Sequence, residues 1–103
     1  MVFYNKQADS DLDEILEGLL FWNKIELSRE FCLSYINDII DVCDCLDTKI
    51  FHSNTVYEMH KQYGEKVHIY KRNARTIWYI IYDIDKKDNI YINRIISNHL
   101  TIS

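Results

Sequence analysis

The 103-residue chain contains no proline and only two glycines, Gly18 and Gly64. Without a stretch rich in proline, glycine or serine, the sequence has no recognisable linker, so residues 1–103 are expected to form one domain. Two glycines also cannot build a glycine-rich loop that cradles a phosphate. The scarcity of both residues therefore favours a single small domain with short connections and excludes the common nucleotide-binding loops.

Long apolar runs are missing as well, and cysteines are few. No run approaches the ~20 apolar residues that a membrane helix needs, and the acidic N-terminal segment is not typical of a signal peptide. Cys32 and Cys43 would lie ~16 Å apart on one predicted helix, which is too far for a disulfide. Cys45 follows on the same helix. We therefore expect reduced cysteines in a cytoplasmic protein without a membrane partner.

Acidic residues outnumber lysine and arginine by 16 to 12, which gives a net charge of −4. This balance argues against broad, unspecific binding of polyanions. The charge is also uneven, because most carboxylates fall within residues 9–47 whereas cations dominate residues 60–75. We expect an acidic helical layer and a more basic sheet.

Two segments have the apolar spacing of amphipathic helices. The first is ADSDLDEILEGLLFWN (8–23), in which the apolar stripe consists of Ala8, Leu12, Ile15, Leu16, Leu19 and Leu20. The second is REFCLSYINDIIDVCDCLD (29–47), which follows Ser28, a residue suited to the N-cap. The short connection between them predicts an antiparallel helical hairpin.

Strand patterns lie on either side of these helices. VFYNK (2–6) predicts a short first strand, and VHIYKR (67–72), TIWYIIYDID (76–85) and IYINRIIS (90–97) predict three strands joined by tight turns. Successive strands with tight turns form an antiparallel meander. The order β-α-α-β-β-β predicts a two-layer α+β domain, with the helical hairpin on one face of a mostly antiparallel sheet. Gly64 precedes the meander, and we expect a positive φ there.

The central strand is apolar on both of its faces. Trp78 and Tyr82 are therefore expected to face the helices in the core. Tyr70 and Tyr79 are predicted on the opposite face, where aromatic rings either fill a half-buried strand or stack on nucleic-acid bases.

Four cations are candidates for a phosphate-binding group. Lys71, Arg72 and Arg75 surround a predicted bend, and Arg94 lies on the last strand. Such residues stabilise the charge that develops when RNA is cut through its 2′-hydroxyl. They equally suit a solvated rim that prevents edge-to-edge pairing of strands. The rim is the simpler interpretation.

Histidines offer a second kind of candidate. His60 and His68 flank Gly64, but the sequence lacks the ligand spacing of a metal site, so neither a metal nor a cofactor is predicted. His99 near the C-terminus would serve as an acid or base only if the last strand brought it beside the cations.

Three segments together resemble the RelE/ParE superfamily of bacterial toxins. They are QADSDLDEILEGLLFW (7–22), YKRNARTIWYIIYDID (70–85) and NIYINRIISNH (89–99), and the resemblance extends over nearly the whole chain. It implies a toxin of a type II toxin–antitoxin module, with a cognate antitoxin as its partner and with ribosome-bound mRNA or DNA gyrase as its target. A homodimer is the other partner that we consider. Catalytic candidates are then Arg72, Arg75, Arg94 and His99, and substrate-binding candidates are Lys71, Tyr70 and Tyr79.

The sequence departs from the family pattern at the positions that matter for RNA cleavage. Tyr79 occupies the position of the middle-strand arginine, although a shifted bend would offer Arg75 instead. Ser97 and Asn98 replace the histidine or arginine pair that often ends the last strand. Together with the acidic charge, these departures favour gyrase blockade, or an attenuated toxin, over mRNA cleavage. A non-toxic protein-interaction module on the same scaffold is the alternative.

Overall fold

The computed structural model describes residues 1–21, 28–48 and 60–98. The elements in chain order are β1 (Val2–Tyr4), α1 (Lys6–Phe21), α2 (Arg29–Asp44), a 3₁₀ turn (Leu46–Thr48), β2 (Lys66–Lys71), β3 (Ile77–Ile84) and β4 (Ile90–Ser97). The four strands form one sheet in the order β1-β4-β3-β2. β1 runs parallel to β4, whereas the β2–β3 and β3–β4 pairs are antiparallel. Within the described residues, the predicted element order, the meander and the α+β class are confirmed.

Side chains at the helix starts account for where the helices begin. Ser28 caps α2 as predicted, since its Oγ accepts a hydrogen bond of 3.1 Å from the Phe31 N–H. At α1, Asn5 Oδ1 accepts from the Ala8 N–H at 2.9 Å, so this helix starts two residues earlier than the apolar stripe indicates. No helix in the described ranges has the length and apolar character required to cross a membrane.

One face of the sheet packs against both helices and forms the main core. Its buried members are Ala8, Ile39, Cys43, Leu46, Trp78, Ile80, Tyr82, Ile90, Ile92 and Ile95. Trp78 and Tyr82 are therefore core residues, as predicted. Trp78 Nε1 also donates a hydrogen bond of 3.0 Å to the hydroxyl of Tyr35 on α2, which satisfies the polar atom of the indole.

The sheet face turned away from the helices, here called the distal face, carries a second and smaller apolar cluster. Val67 and Ile81 are buried there, and Tyr79 packs beside them. Tyr79 thus lies on the predicted face, but the prediction for Tyr70 is wrong. Tyr70 pairs with Trp78 in the antiparallel register, so the two side chains share the helix-facing side.

Gly64 does not have the positive φ that the sequence predicts. The reason for glycine at this position is close packing. A Cβ atom there would lie 3.0 Å from Ile81 Cγ2 and 3.2 Å from the Tyr82 carbonyl oxygen. Among the described residues, Asp88 has a positive φ (62°), in the turn between β3 and β4.

Candidate functional site on the distal face

A β-bulge in β4 organises the polar residues at one margin of the distal face. Ile81 pairs with Arg94 but the next residue, Tyr82, pairs with Ile92, so Asn93 is the extra residue. Bulges bend a strand and reorient its side chains, and they are frequent beside functional sites. Here the bulge places Asn93 and Arg94 side by side at the free part of the β4 edge.

Asn93 connects three parts of the chain. Its Nδ2 donates to the Tyr63 carbonyl and to Asp83 Oδ2, both at 2.8 Å. Its Oδ1 accepts from Asn5 Nδ2 at 3.0 Å. The amide thereby holds the 60–65 segment against the sheet at the point where β1 ends.

Asp11 of α1 completes the same edge. β1 pairs only with residues 90–92, so the outer edge of β4 would lack a partner beyond that point. Asp11 is 4% exposed, and its Oδ2 accepts from the Ile95 N–H at 2.9 Å. It also accepts from Arg94, at 2.8 Å from Nε and 3.2 Å from Nη2. The Asp11 carboxylate thus accepts a backbone hydrogen bond that a neighbouring strand would otherwise accept. It also forms a bidentate ion pair with Arg94.

Arg94 forms one wall of a pocket at this margin. The guanidinium lies 4.7 Å from the centre of the Tyr63 ring. The pocket has a volume of about 380 Å³ and is lined by Asn5, Gln7, Gln62, Tyr63, Asn93 and Arg94. The hydrogen bond from Asp11 raises the pKa of Arg94, so the arginine stays charged but is already paired. The lining can donate and accept hydrogen bonds, whereas its positive charge is largely neutralised.

His60 is the first residue of the 60–65 segment and is 7% exposed. Its ring is 5.5 Å from the ring of Tyr79 and 6.5 Å from that of Tyr63. Burial, and after it the charge of Arg94, lower the pKa of His60 below its usual 6.5. Both effects favour the neutral form of the imidazole. His68 pairs with Ile80 and so lies on the helix-facing side, which separates the two histidines.

The remaining predicted cations lie elsewhere. Arg72 forms an ion pair with Asp38 of α2, and its Cζ lies 4.2 Å above the ring of Tyr35. Its Nη1 also donates to the Tyr70 hydroxyl at 3.3 Å. Arg72 and Tyr70 thus bridge the sheet to α2, whereas Lys71 and Arg75 are exposed around the β2–β3 connection.

The four predicted cations consequently do not form one group. Lys71 pairs with Ile77, while Arg94 pairs with Ile81, four residues or roughly 13 Å farther along β3. Arg72 is turned toward the helices, away from the distal face. Of the predicted site residues, Lys71, Tyr79 and Arg94 lie on the distal face by their register. Tyr79 and Arg94 are the ones near His60, and His99 lies outside the described residues.

Sequence reasoning missed Asp11 and Asn93, which together shape the pocket margin. Asp11 carried a usable signal, because it stands three residues after Ala8 and four before Ile15, within the apolar stripe of α1. A carboxylate at such a position indicates a buried partner. Asn93 carried no comparable signal in the sequence, because the position of a bulge depends on how two strands pair. Within 1–21, 28–48 and 60–98, no group of three or more histidine, cysteine or acidic side chains is arranged to hold a metal ion.

Comparison with family models, with curated proteins and with solved structures finds no match to this chain. Function is therefore inferred from the residues and the geometry of the chain itself.

Proposed function

We propose that this chain is the toxin of a type II toxin–antitoxin module, with a RelE/ParE-like arrangement and a cognate antitoxin as its main partner. The topology is the observation that carries the proposal. β4 lies beside β1 at the margin of an antiparallel meander, and both helices pack on one face of the sheet. This arrangement agrees with the element order and the single helical layer that the resemblance implies.

The distal face supports an antitoxin as the partner. It carries an apolar cluster in which Ile69, Tyr79 and Ile96 are only partly buried. Extended or helical tails of partner proteins commonly bind such half-covered surfaces, because binding removes apolar area from water. A disordered antitoxin tail that folds on this face would block the toxin and gain its own structure in the same step.

The charge distribution favours gyrase blockade over ribosome-dependent mRNA cleavage. Phosphodiester cleavage needs cations that face the substrate. Here Arg72 and Arg94 are each paired with a helix carboxylate, and the whole chain carries a net charge of −4. Binding to a protein target requires no convergent catalytic set, so the exposed surface is sufficient for that route.

Controlled expression of the chain in bacteria tests the proposal. We expect growth arrest that is relieved when the neighbouring partner gene is expressed together with it. Purified chain is expected to inhibit supercoiling by gyrase, while mapping of mRNA 5′ ends shows no new cuts. Unaffected growth at confirmed soluble expression would instead support the non-toxic interaction module.

Two matched double variants separate the two routes of toxicity. Lys71→Ala/Arg75→Ala removes exposed cations at the β2–β3 connection, and Lys86→Ala/Lys87→Ala removes the same charge from the β3–β4 turn. If the chain blocks gyrase and does not cleave RNA, no mRNA cuts are expected with the original chain or with either double variant. If cuts occur and only the first pair abolishes them, the mRNA route is correct and the gyrase route is wrong.

A further inference from the structure

Two aromatic rings form an exposed platform on the distal face, at the margin made by β1 and β4. Phe3 and Tyr91 are partners in the parallel register. Their ring centres are 5.3 Å apart and their planes differ by 16°, so the rings are stacked. Phe3 is 42% and Tyr91 39% exposed, which leaves a large part of both rings open to a ligand.

The carboxylates of Asp83 and Asp85 lie beside this platform. The Tyr91 hydroxyl donates a hydrogen bond of 2.9 Å to Asp85 Oδ2. Backbone and side-chain hydrogen bonds from Asn89, with others from Lys87 and Tyr91, lower the pKa of Asp85 to about 2. Asp83 pairs directly with Tyr91 across the β3–β4 ladder and so lies on the same face.

No cation in the described part of the chain forms an ion pair with Asp83 or Asp85. The ion pairs there join Asp47, Asp38 and Asp11 to their cations. Among the described residues, Asp83 accepts hydrogen bonds from uncharged groups, the Glu65 N–H and the Asn93 amide. The cations nearest in sequence, Lys86 and Lys87, are exposed in the turn.

We propose that the Phe3–Tyr91 platform, together with Asp83 and Asp85, is a docking surface for an arginine of a protein partner. A guanidinium group is planar, so it can stack on an aromatic ring while its N–H groups bond to a carboxylate. Asp83 is the acceptor for these bonds, because Asp85 already accepts four hydrogen bonds and contributes only its negative charge. Lysine matches the charge but cannot stack in this way. Nucleic-acid bases also stack on aromatic rings, but their phosphates would meet the two carboxylates. The inference does not depend on the chain being a toxin.

Amide NMR titration with two capped, unstructured peptides tests this assignment. One alternates arginine with serine, and the other alternates lysine with serine at equal charge. At about 0.15 M salt, where longer-range attraction is screened, we expect shifts at residues 3, 83, 85 and 91. An exposed cation–π contact predicts roughly two- to fivefold tighter binding of the arginine peptide.

Single-residue variants give the matched control. Tyr91→Ala and, separately, Phe3→Ala are expected to remove the preference for arginine. Phe31→Ala, which deletes a ring that is 45% exposed on α2, is expected to retain it. The amide spectrum of each free variant verifies its fold.

Three results would overturn the assignment. The first is equal affinity for the two peptides, and the second is a set of shifts concentrated on the acidic α1 helix. The third is a seven-nucleotide oligouridine that shifts the platform residues more than the arginine peptide does, since that result assigns the rings to nucleic acid. The oligouridine is titrated under the same salt conditions.

Discussion

Removal of the Asp11 carboxylate should destabilise the fold far more than removal of its neighbours on the same helix. Asp11→Ala leaves the Ile95 N–H without its acceptor and leaves Arg94 charged without its partner. Breaking a buried ion pair on one side costs ~3–5 kcal/mol, and an unsatisfied buried N–H adds ~1–3 kcal/mol. Because the Arg94 side chain is 23% exposed and water can replace part of the pair, we expect a total loss of about 2–3 kcal/mol.

Such a loss is a large share of the stability of a domain of this size, which is about 5–15 kcal/mol. It corresponds to a fall in Tm of roughly 10–20 °C. Asp11→Asn keeps an oxygen that accepts from the Ile95 N–H but loses the charge, so its expected cost is about 1–2 kcal/mol. Urea unfolding followed by far-UV circular dichroism measures all of these changes.

Asp13→Ala is the matched control, since it removes a carboxylate from an exposed position of α1. Its expected effect is within ~0.5 kcal/mol. A double-mutant cycle with Arg94→Met isolates the ion pair, and we expect a coupling of about 0.5–3 kcal/mol between residues 11 and 94. If Asp11→Ala costs no more than Asp13→Ala, or if the cycle shows no coupling, the described role of Asp11 is incorrect.

Glycine and cysteine variants give two further tests. Gly64→Ala should destabilise by about 1–3 kcal/mol because its Cβ would lie 3.0 Å from the nearest side-chain atom. Gly18→Ala should stabilise by ~0.5–1 kcal/mol, because Gly18 is on a helix and no atom from another part of the fold lies within 4 Å of the added Cβ. Equal urea midpoints for the two variants would contradict this. Burial raises the pKa of Cys43 from 9.0 to about 12 and that of Tyr82 from 10.0 to about 12. Their contribution to stability is complete below pH 9 and is lost as pH rises toward 12, because the unfolded chain ionises first. A thiol reagent at pH 8 should therefore modify exposed Cys45 in the native protein and spare Cys43, and rapid labelling of both would contradict the burial.

The elements were predictable because each has a local signal. Ser28 is a strong N-cap type, and the stripe from Ala8 to Ile15 has the period of a helix. The strand between two tight turns could only be the middle of a meander, so burial of Trp78 and Tyr82 followed from alternation. Local residue chemistry was sufficient for these features.

The positions of the cations were not predictable in the same way. Arg72 is one residue beyond β2, where alternation no longer fixes the direction of a side chain. Arg94 follows a bulge, and one inserted residue changes which face every later residue occupies. The predicted face of Tyr70 was wrong for a related reason. Both sides of β2 carry aromatic or apolar residues, so only the register with β3 determines which side Tyr70 occupies.

The uneven charge of the sequence has a structural use that composition alone did not indicate. Asp11 and Asp38 belong to the acidic helical layer, and each binds an arginine of the β2–β4 region. The helix carboxylates thus attach the helices to the sheet at two separate margins. Since these pairs occupy Arg72 and Arg94, an anionic ligand would have to depend on exposed cations such as Lys71 and Arg75. A docked arginine, in contrast, would meet carboxylates at Asp83 and Asp85 that no described cation pairs with. The exposed charge beside Phe3 and Tyr91 is therefore better suited to a cationic partner than to RNA.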